Sequence, residues 1–208
     1  LMATIEYFYA AHSAYAYLGS AKLMEIVKAT GATLVHKPND LRLVVPAAGS
    51  TPTSERTANH RAYFFGREIE RWSEHRGAPV LGQMPTHHRK DIDLPNCFLI
   101  AAGETGPAID KLAHACLEQH WRYDADLSDA ATLVRIAKDL DLDGEALLEK
   151  ARSDEAKAQY KKNTEEAIER SVFGSPTYFV DGDMFYGQDR LELVERAIGK
   201  PYMQVNCR

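Results

Sequence analysis

Two hydrophobic rhythms divide the chain. Residues 4–9, Thr-Ile-Glu-Tyr-Phe-Tyr, are a short β-branched and aromatic run and predict a strand. Residues 14–30 carry Leu18, Ala21, Ile26 and Val27 near helical spacing and stop at Gly31, which predicts a helix. Residues 32–37 predict a second strand, closed by Pro38. Strand, helix and strand at this spacing form a βαβ unit with parallel strands and a right-handed crossover. His36 is expected on the surface of the second strand.

From about residue 40 the rhythm changes. Leu41 to Ala48 is apolar without a period, and 49–54 is a loop of Gly, Ser, Thr and Pro. A long helix is expected over 55–76, ending at Gly77-Ala78-Pro79, with a loop over 77–93 after it. Pro95 suits a first helical turn, where its missing N–H leaves nothing unpaired, so a helix over 95–121 is expected, interrupted near Gly103–Gly106. Ser128-Asp129, Asp143 and Ser153-Asp154 read as caps of three more helices, reaching to about 140, 152 and 171. The strand pattern then returns. Thr177–Val180 and Met184–Tyr186 flank Asp181-Gly182-Asp183, a hairpin signal, and 189–199 is a last amphipathic helix. The order is βαβ, helices, ββα. It implies an α/β domain from 2–40 and 172–200, split by a helical insertion over 41–171, with a tail over 201–208.

Composition narrows the function. The chain has 208 residues, 26% charged, with a formal charge of -5 and no block of like charges, which argues against a nucleic-acid binder. No apolar run reaches a bilayer span, so no membrane association is expected. A basic stretch leading into an apolar one is missing at the start, so a signal peptide is not expected. Cys97, Cys116 and Cys207 are odd in number and far apart, without C-x-x-C. That disfavours a disulfide framework or a dithiol redox site and points to a reducing cytoplasm.

The chemistry concentrates at the first strand–helix turn. Ser13 stands at or next to a helix N-cap, where backbone N–H groups and the helix dipole favour negative charge. A hydroxyl there caps the helix and can hold an anion. His12 lies beside it and could adjust charge near neutral pH. A serine-hydrolase arrangement of the two is disfavoured, because neighbours on an extended segment point to opposite sides. His87-His88 next to Arg89-Lys90 reads as a solvated surface, with no third ligand at metal-binding spacing. Tyr63, Phe64, Phe65, Trp72 and Trp121 read as the core of the insertion, some of them able to line a pocket.

Four segments in this order resemble one superfamily: Phe8-Tyr9 to Ser13-Ala14-Tyr15-Ala16-Tyr17-Leu18; Arg71-Trp72 with Gly77-Ala78-Pro79; Phe173-Gly174-Ser175-Pro176-Thr177; and Gly187-Gln188-Asp189-Arg190-Leu191. The topology and these segments resemble a thioredoxin fold with a helical insertion, as in the bacterial disulfide oxidoreductase A group. Within it the chain resembles the 2-hydroxychromene-2-carboxylate isomerases and the kappa-class glutathione transferases. The resemblance puts Ser13 where the dithiol oxidoreductases have the first cysteine of C-x-x-C, and implies that it donates to a glutathione thiolate. It implies a cis bond at Pro176, with the backbone of Ser175 pairing with glutathione, and Asp189, next to Gln188, taking the γ-glutamyl amine.

The resemblance also marks departures. The family usually has Pro where Ala14 stands and an apolar residue at His12. Of its substrate-holding residues from the insertion, only the arginine has a counterpart, Arg56. Its neighbour is Glu55 instead of asparagine, Val45 stands near the lysine position and His88 near the aromatic one. The implied activity is a glutathione-dependent isomerisation of an aromatic or conjugated small molecule by thiolate addition, bond rotation and elimination, with a homodimer as the assembly. Arg56 and His12 are the candidate substrate contacts, and no metal is expected. The alternatives are a kappa-like glutathione transferase and a non-catalytic thioredoxin-fold binding protein.

Overall fold

The computed structural model describes residues 2–203, so Cys207 and the expected tail from 204 onward lie outside the described residues. The first strand, β1 (Thr4–Tyr9), leads through a turn into α1 (Ala14–Thr30) and returns as β2 (Thr33–Pro38). The chain then runs through α2 (Leu41–Ala47), a 3-10 turn (Thr53–Glu55), α3 (Ala58–Ala62), a π turn (Tyr63–Arg67) and α4 (Glu68–Arg76). Next come α5 (Asp93–Ala101), α6 (Pro107–Tyr123), α7 (Ala130–Lys138), α8 (Gly144–Ala151) and α9 (Asp154–Glu169). It closes with β3 (Thr177–Val180), β4 (Asp183–Tyr186), a 3-10 turn (Gln188–Arg190) and α10 (Leu191–Gly199).

The four strands form one sheet in the order β2-β1-β3-β4. β1 is parallel to β2, with Ile5 opposite Leu34 and Tyr7 opposite His36, and antiparallel to β3, with Tyr7 opposite Tyr178. Alternate side chains of a strand face opposite sides of its sheet. Ile5, Tyr7 and Tyr9 therefore join Leu34, Tyr178 and Val180 on one face, under Leu18 and Leu23 of α1, Phe98 of α5 and Val194 of α10. Phe8 and Phe179 point the other way and pack with Val44 of α2, Ala167 of α9 and Val172. The sheet thus separates a large core, shared with α1, α5, α6, α7, α8 and α10, from a small one under α2 and α9.

Local chemistry explains the element ends. Ser13 caps α1, its hydroxyl accepting from Ala16 N–H at 3.2 Å, and Gly31 ends it in the left-handed region at φ 70° with its N–H on the Val27 carbonyl. Asp129, Asp143 and Ser153 cap α7, α8 and α9.

Three expectations change. Residues 41–47 are helical, capped by Asp40, and bury only Val44; the interior Pro46 and this narrow buried edge leave no period to read. The helix expected over 55–76 is divided, because Arg56 is extended at ψ 148° and the π turn separates α3 from α4. In that turn the Tyr15 hydroxyl donates to the Phe64 carbonyl, serving from outside a group that an unbroken helix would pair internally. His36, expected at the surface, is 3% exposed, because α5 and α9 pack on its strand and Asp110 of α6 reaches its ring. Its ring bridges the Tyr9 hydroxyl and an Asp110 carboxylate oxygen, each at 2.8 Å.

Candidate functional site

The turn between β1 and α1 is held from three directions. Ser13 N–H donates to the Ala10 carbonyl at 3.0 Å, closing the turn on itself. The amide oxygen of Asn96, a fully buried residue of α5, accepts from Ala11 N–H at 2.9 Å. The indole N–H of Trp121, on α6, donates to the His12 carbonyl at 2.8 Å. The chain's far end completes the arrangement. Ala10 N–H donates to Ser175 Oγ at 3.2 Å, and the Ser13 hydroxyl donates to the Ser175 carbonyl at a long 3.4 Å. The Ser175-Pro176 bond is cis.

Ser13 is 8% exposed, with one lone pair on the Ala16 N–H. A hydroxyl has a single proton and two acceptor sites. The proton engaged at 3.4 Å is weakly held and can turn toward a ligand. The first N–H groups of α1, a helix of 17 residues, add their partial positive charge at the same place.

Ser13 opens on a cavity of about 1150 Å³. Small-molecule sites reach roughly 1,000 Å³, so there is room for a tripeptide and a second molecule. The cavity gathers His12, Ser13, Arg56, Ser175, Gln188 and Asp189 on one wall or another. Pro176 stands just behind, setting the direction of Ser175.

These residues are not equally available. Gln188 is 1% exposed, its amide oxygen takes the Arg76 Nε–H at 3.0 Å, and its Nε2 is buried without a partner. Arg76 also donates to the Gln188 carbonyl and pairs with Glu192, tying α4 to the start of α10. Gln188 therefore shapes the wall with a side chain already engaged. Its neighbour α1 comes close because Gly19 has no side chain; a Cβ there would stand 2.7 Å from the Gln188 Cβ. Asp189 is exposed, and its carboxylate accepts from Arg190 at 2.6 Å.

Arg56 lies over the Phe64 ring at 5.1 Å, and its Nε donates to the Thr51 carbonyl at 3.0 Å. Arg56, Arg61 and Arg89 all line the cavity, and among the described residues none has a carboxylate within salt-bridge reach. Glu68 is taken by Arg71. The side of the cavity lined by Arg56, Arg61 and Arg89 thus carries a surplus of positive charge and favours an acidic molecule.

The histidines differ from expectation. Residues 11 and 12 form a turn instead of an extended segment, so His12 and Ser13 face the same cavity. The Ser13 hydroxyl nonetheless bonds Ser175 and Ala16 and not an imidazole. His88 is half-buried, because its polar neighbours Arg89 and Lys90 point outward while its ring turns in. Its Nδ1 is 3.0 Å from Nε2 of His120, and its ring centre is 5.0 Å from that of His12. Burial, helped by His120 and Arg89, pushes the His88 pKa down to about 4. Burial and the nearby His88, His120 and Arg42 hold His12 well below the usual imidazole range.

The aromatic residues differ in burial, Trp121 being core at 2% exposure and Tyr63 53% exposed, but both line the cavity, as do Phe64, Phe65 and Trp72. Sequence reasoning missed Asn96, Arg61, Arg76 and Arg89. Asn96 meets Ala11 at a separation of 85 residues and Arg76 meets Gln188 at 112, so no local spacing signals either. Arg61 and Arg89 matter through the cavity they face, which no spacing signals.

The two buried thiols are not part of this site. Cys97 and Cys116 are free, and burial raises their pKa values to about 11 and about 12. Among the described residues no group of three or more His, Cys, Asp or Glu side chains is placed to hold a metal ion, and no helix is long and apolar enough to cross a membrane.

The pattern that matches this chain is the DSBA-like thioredoxin domain, and it covers residues 4–199. The chain belongs to the DsbA-like thioredoxin family. Within it, a 2-hydroxychromene-2-carboxylate isomerase from Sphingobium xenophagum is 29% identical over 192 residues, 92% of this chain and 96% of the relative. Glutathione S-transferase kappa 1 from Homo sapiens is 24% identical, over 96% of this chain and 92% of its own length. A solved 2-hydroxychromene-2-carboxylate isomerase structure superposes with a TM-score of 0.81 at 24% identity, over 95% of each chain. These relatives are named as isomerases and a glutathione transferase.

Proposed function

We propose that this chain is a glutathione-dependent isomerase that acts on an acidic aromatic or conjugated molecule. The observation that carries the reading is the Ser13 hydroxyl at the N-terminus of α1, 3.4 Å from the carbonyl of Ser175 across the cavity floor. That pairing offers a donor for a sulfur anion and a backbone group for the peptide to which the sulfur belongs.

The donor set suits glutathione. Ser13 and the first N–H groups of α1 hold the thiolate. The Ser175 backbone, directed by Pro176, pairs with the tripeptide main chain. Asp189 takes the γ-glutamyl amine, sharing its carboxylate with Arg190, and Gln188 keeps the turn beneath it in place through Arg76. Bound there, glutathione supplies a thiolate that adds reversibly to a conjugated double bond and leaves again, so it is not consumed. Arg56, with Arg61 and Arg89, draws the acidic end of the substrate to the insertion side, and Phe64 and Phe65 lie against its apolar body. In this reading the protein works in the cytoplasm as a homodimer, and 41–171 is an inserted helical domain that supplies the substrate half of the site.

Calorimetric titration with glutathione tests the first step. Binding at millimolar concentration or tighter is expected, and none at that concentration would remove the reading in favour of a binding protein of other specificity. Total glutathione measured before and after many turnovers of 2-hydroxychromene-2-carboxylate tests the second. An unchanged total is expected, whereas stoichiometric loss assigns the site to transfer, the activity for which the kappa relative is named.

A further inference from the structure

His12 is placed as no cap or core histidine needs to be. Its carbonyl is fixed by the Trp121 indole at 2.8 Å, and its ring lines the cavity beside Ser13. Its Nδ1 is buried and has no partner. Buried N–H groups without partners are rare, while a bare acceptor is better tolerated, so the ring proton belongs on Nε2, the nitrogen a ligand in the cavity can reach.

The neighbouring histidines are held by bonds of their own. The Ala125 carbonyl accepts only, so His120 carries its proton on Nδ1, 2.9 Å away. His120 Nε2 then accepts from His88 Nδ1–H at 3.0 Å. The groups around His12 are Arg42 from α2, His88 from the loop before α5, and His120 from α6. None is an anion that would support an imidazolium.

We propose that His12 is a second hydrogen-bond donor at the sulfur position, its Nε2–H serving, with the Ser13 hydroxyl, the negative charge held there. This rests on the glutathione reading above. A neutral donor keeps its proton and stabilises an anion without a compensating charge, so its contribution does not change across the pH range where ordinary histidines titrate.

The test compares two glutathione derivatives by calorimetry. Glutathione sulfonate carries a fixed negative charge on sulfur, and S-methylglutathione carries none. His12→Leu is expected to weaken the sulfonate roughly ten- to a hundredfold, the effect of one hydrogen bond to a charged group. It is expected to leave S-methylglutathione within about threefold, and His12→Gln, which keeps an N–H donor, to recover most of the loss. In the wild-type protein, the nitrogen-15 imidazole spectrum of His12 is expected to show the neutral Nε2–H form from about pH 7.5 to about pH 5. Equal sulfonate affinity in wild type and His12→Leu, or a His12 imidazolium or Nδ1–H form in that range, overturns the assignment while leaving the glutathione site standing. A wild-type protein that binds neither derivative nor glutathione removes both readings together.

Discussion

Replacing Ser13 by glycine separates two duties of one hydroxyl. As a cap it accepts from Ala16 N–H; as a donor it now holds only the long 3.4 Å bond to Ser175. Removing a serine cap costs about 1 kcal/mol when alanine replaces it but only a few tenths when glycine does. Both variants lose the donor equally. A hydrogen bond to a charged group is worth about 1.5–3 kcal/mol, and one pKa unit about 1.4 kcal/mol, so the bound thiol should titrate about one to two units higher in both. The N–H groups of α1 remain, so the thiol stays somewhat below the roughly 8.5 of an ordinary cysteine. Thiolate absorbance of glutathione-loaded protein against pH measures the loss of the donor, and urea unfolding of the free protein the loss of the cap. Ser13→Ala should be less stable than Ser13→Gly while their thiol titrations coincide. Thiol titrations within about 0.3 units of wild type in both variants would refute the role of the hydroxyl.

Groups around the site carry further expectations. Asn96→Leu should cost roughly 2–4 kcal/mol in urea unfolding, because it strands the buried Ala11 N–H and loses the bond to the Ile92 carbonyl at 2.9 Å. It should also weaken glutathione in calorimetry; unchanged stability or unchanged affinity would contradict the role of Asn96. The folded His88 takes a proton only near about pH 4, while in the unfolded chain it does so near 6.5, so the unfolded state binds more protons between those values and stability falls as pH falls. That loss, on the order of 3 kcal/mol for His88 alone, should shrink in His88→Gln; parallel pH profiles for the two proteins would count against it. Cys97 and Cys116 should resist alkylation in the native protein and react only in denaturant, as peptide mapping by mass spectrometry can read; native labelling of either would contradict their burial and raised pKa values.

Elements set by short-range chemistry were legible in the sequence. Ser13, Gly31, Asp129, Asp143 and Ser153 mark their helix ends by residue type alone, and Asp181-Gly182 marks the hairpin. What could not be read depends on which surface meets which. His36 sits in an alternating strand whose outer side looks wet until α6 brings Asp110 over it. His88 lies in a polar run and is turned inward by His12, His120 and Trp121, none of them less than 32 positions from it. The π turn over Tyr63–Arg67 needs the Tyr15 hydroxyl, which no periodicity in its own segment announces. The serine and the Ser175-Pro176 pair were legible as a family pattern, whereas Asn96 and Arg76, which hold the turns beneath them, have no sequence signature.

The bond from Ala10 N–H to Ser175 Oγ spans 165 positions of the chain, and β1 lies between a strand that comes soon after it and one that arrives about 170 residues later. Until β3 docks, β1 has an open edge and the pocket lacks its floor. Closing so long a loop is slow, because its entropy is lost before its contacts form. Ligand capture can therefore act as a readout of complete assembly: a fragment ending before Ser175 contains Ser13 but not the surface it works against. The ligand then favours the closed form by mass action.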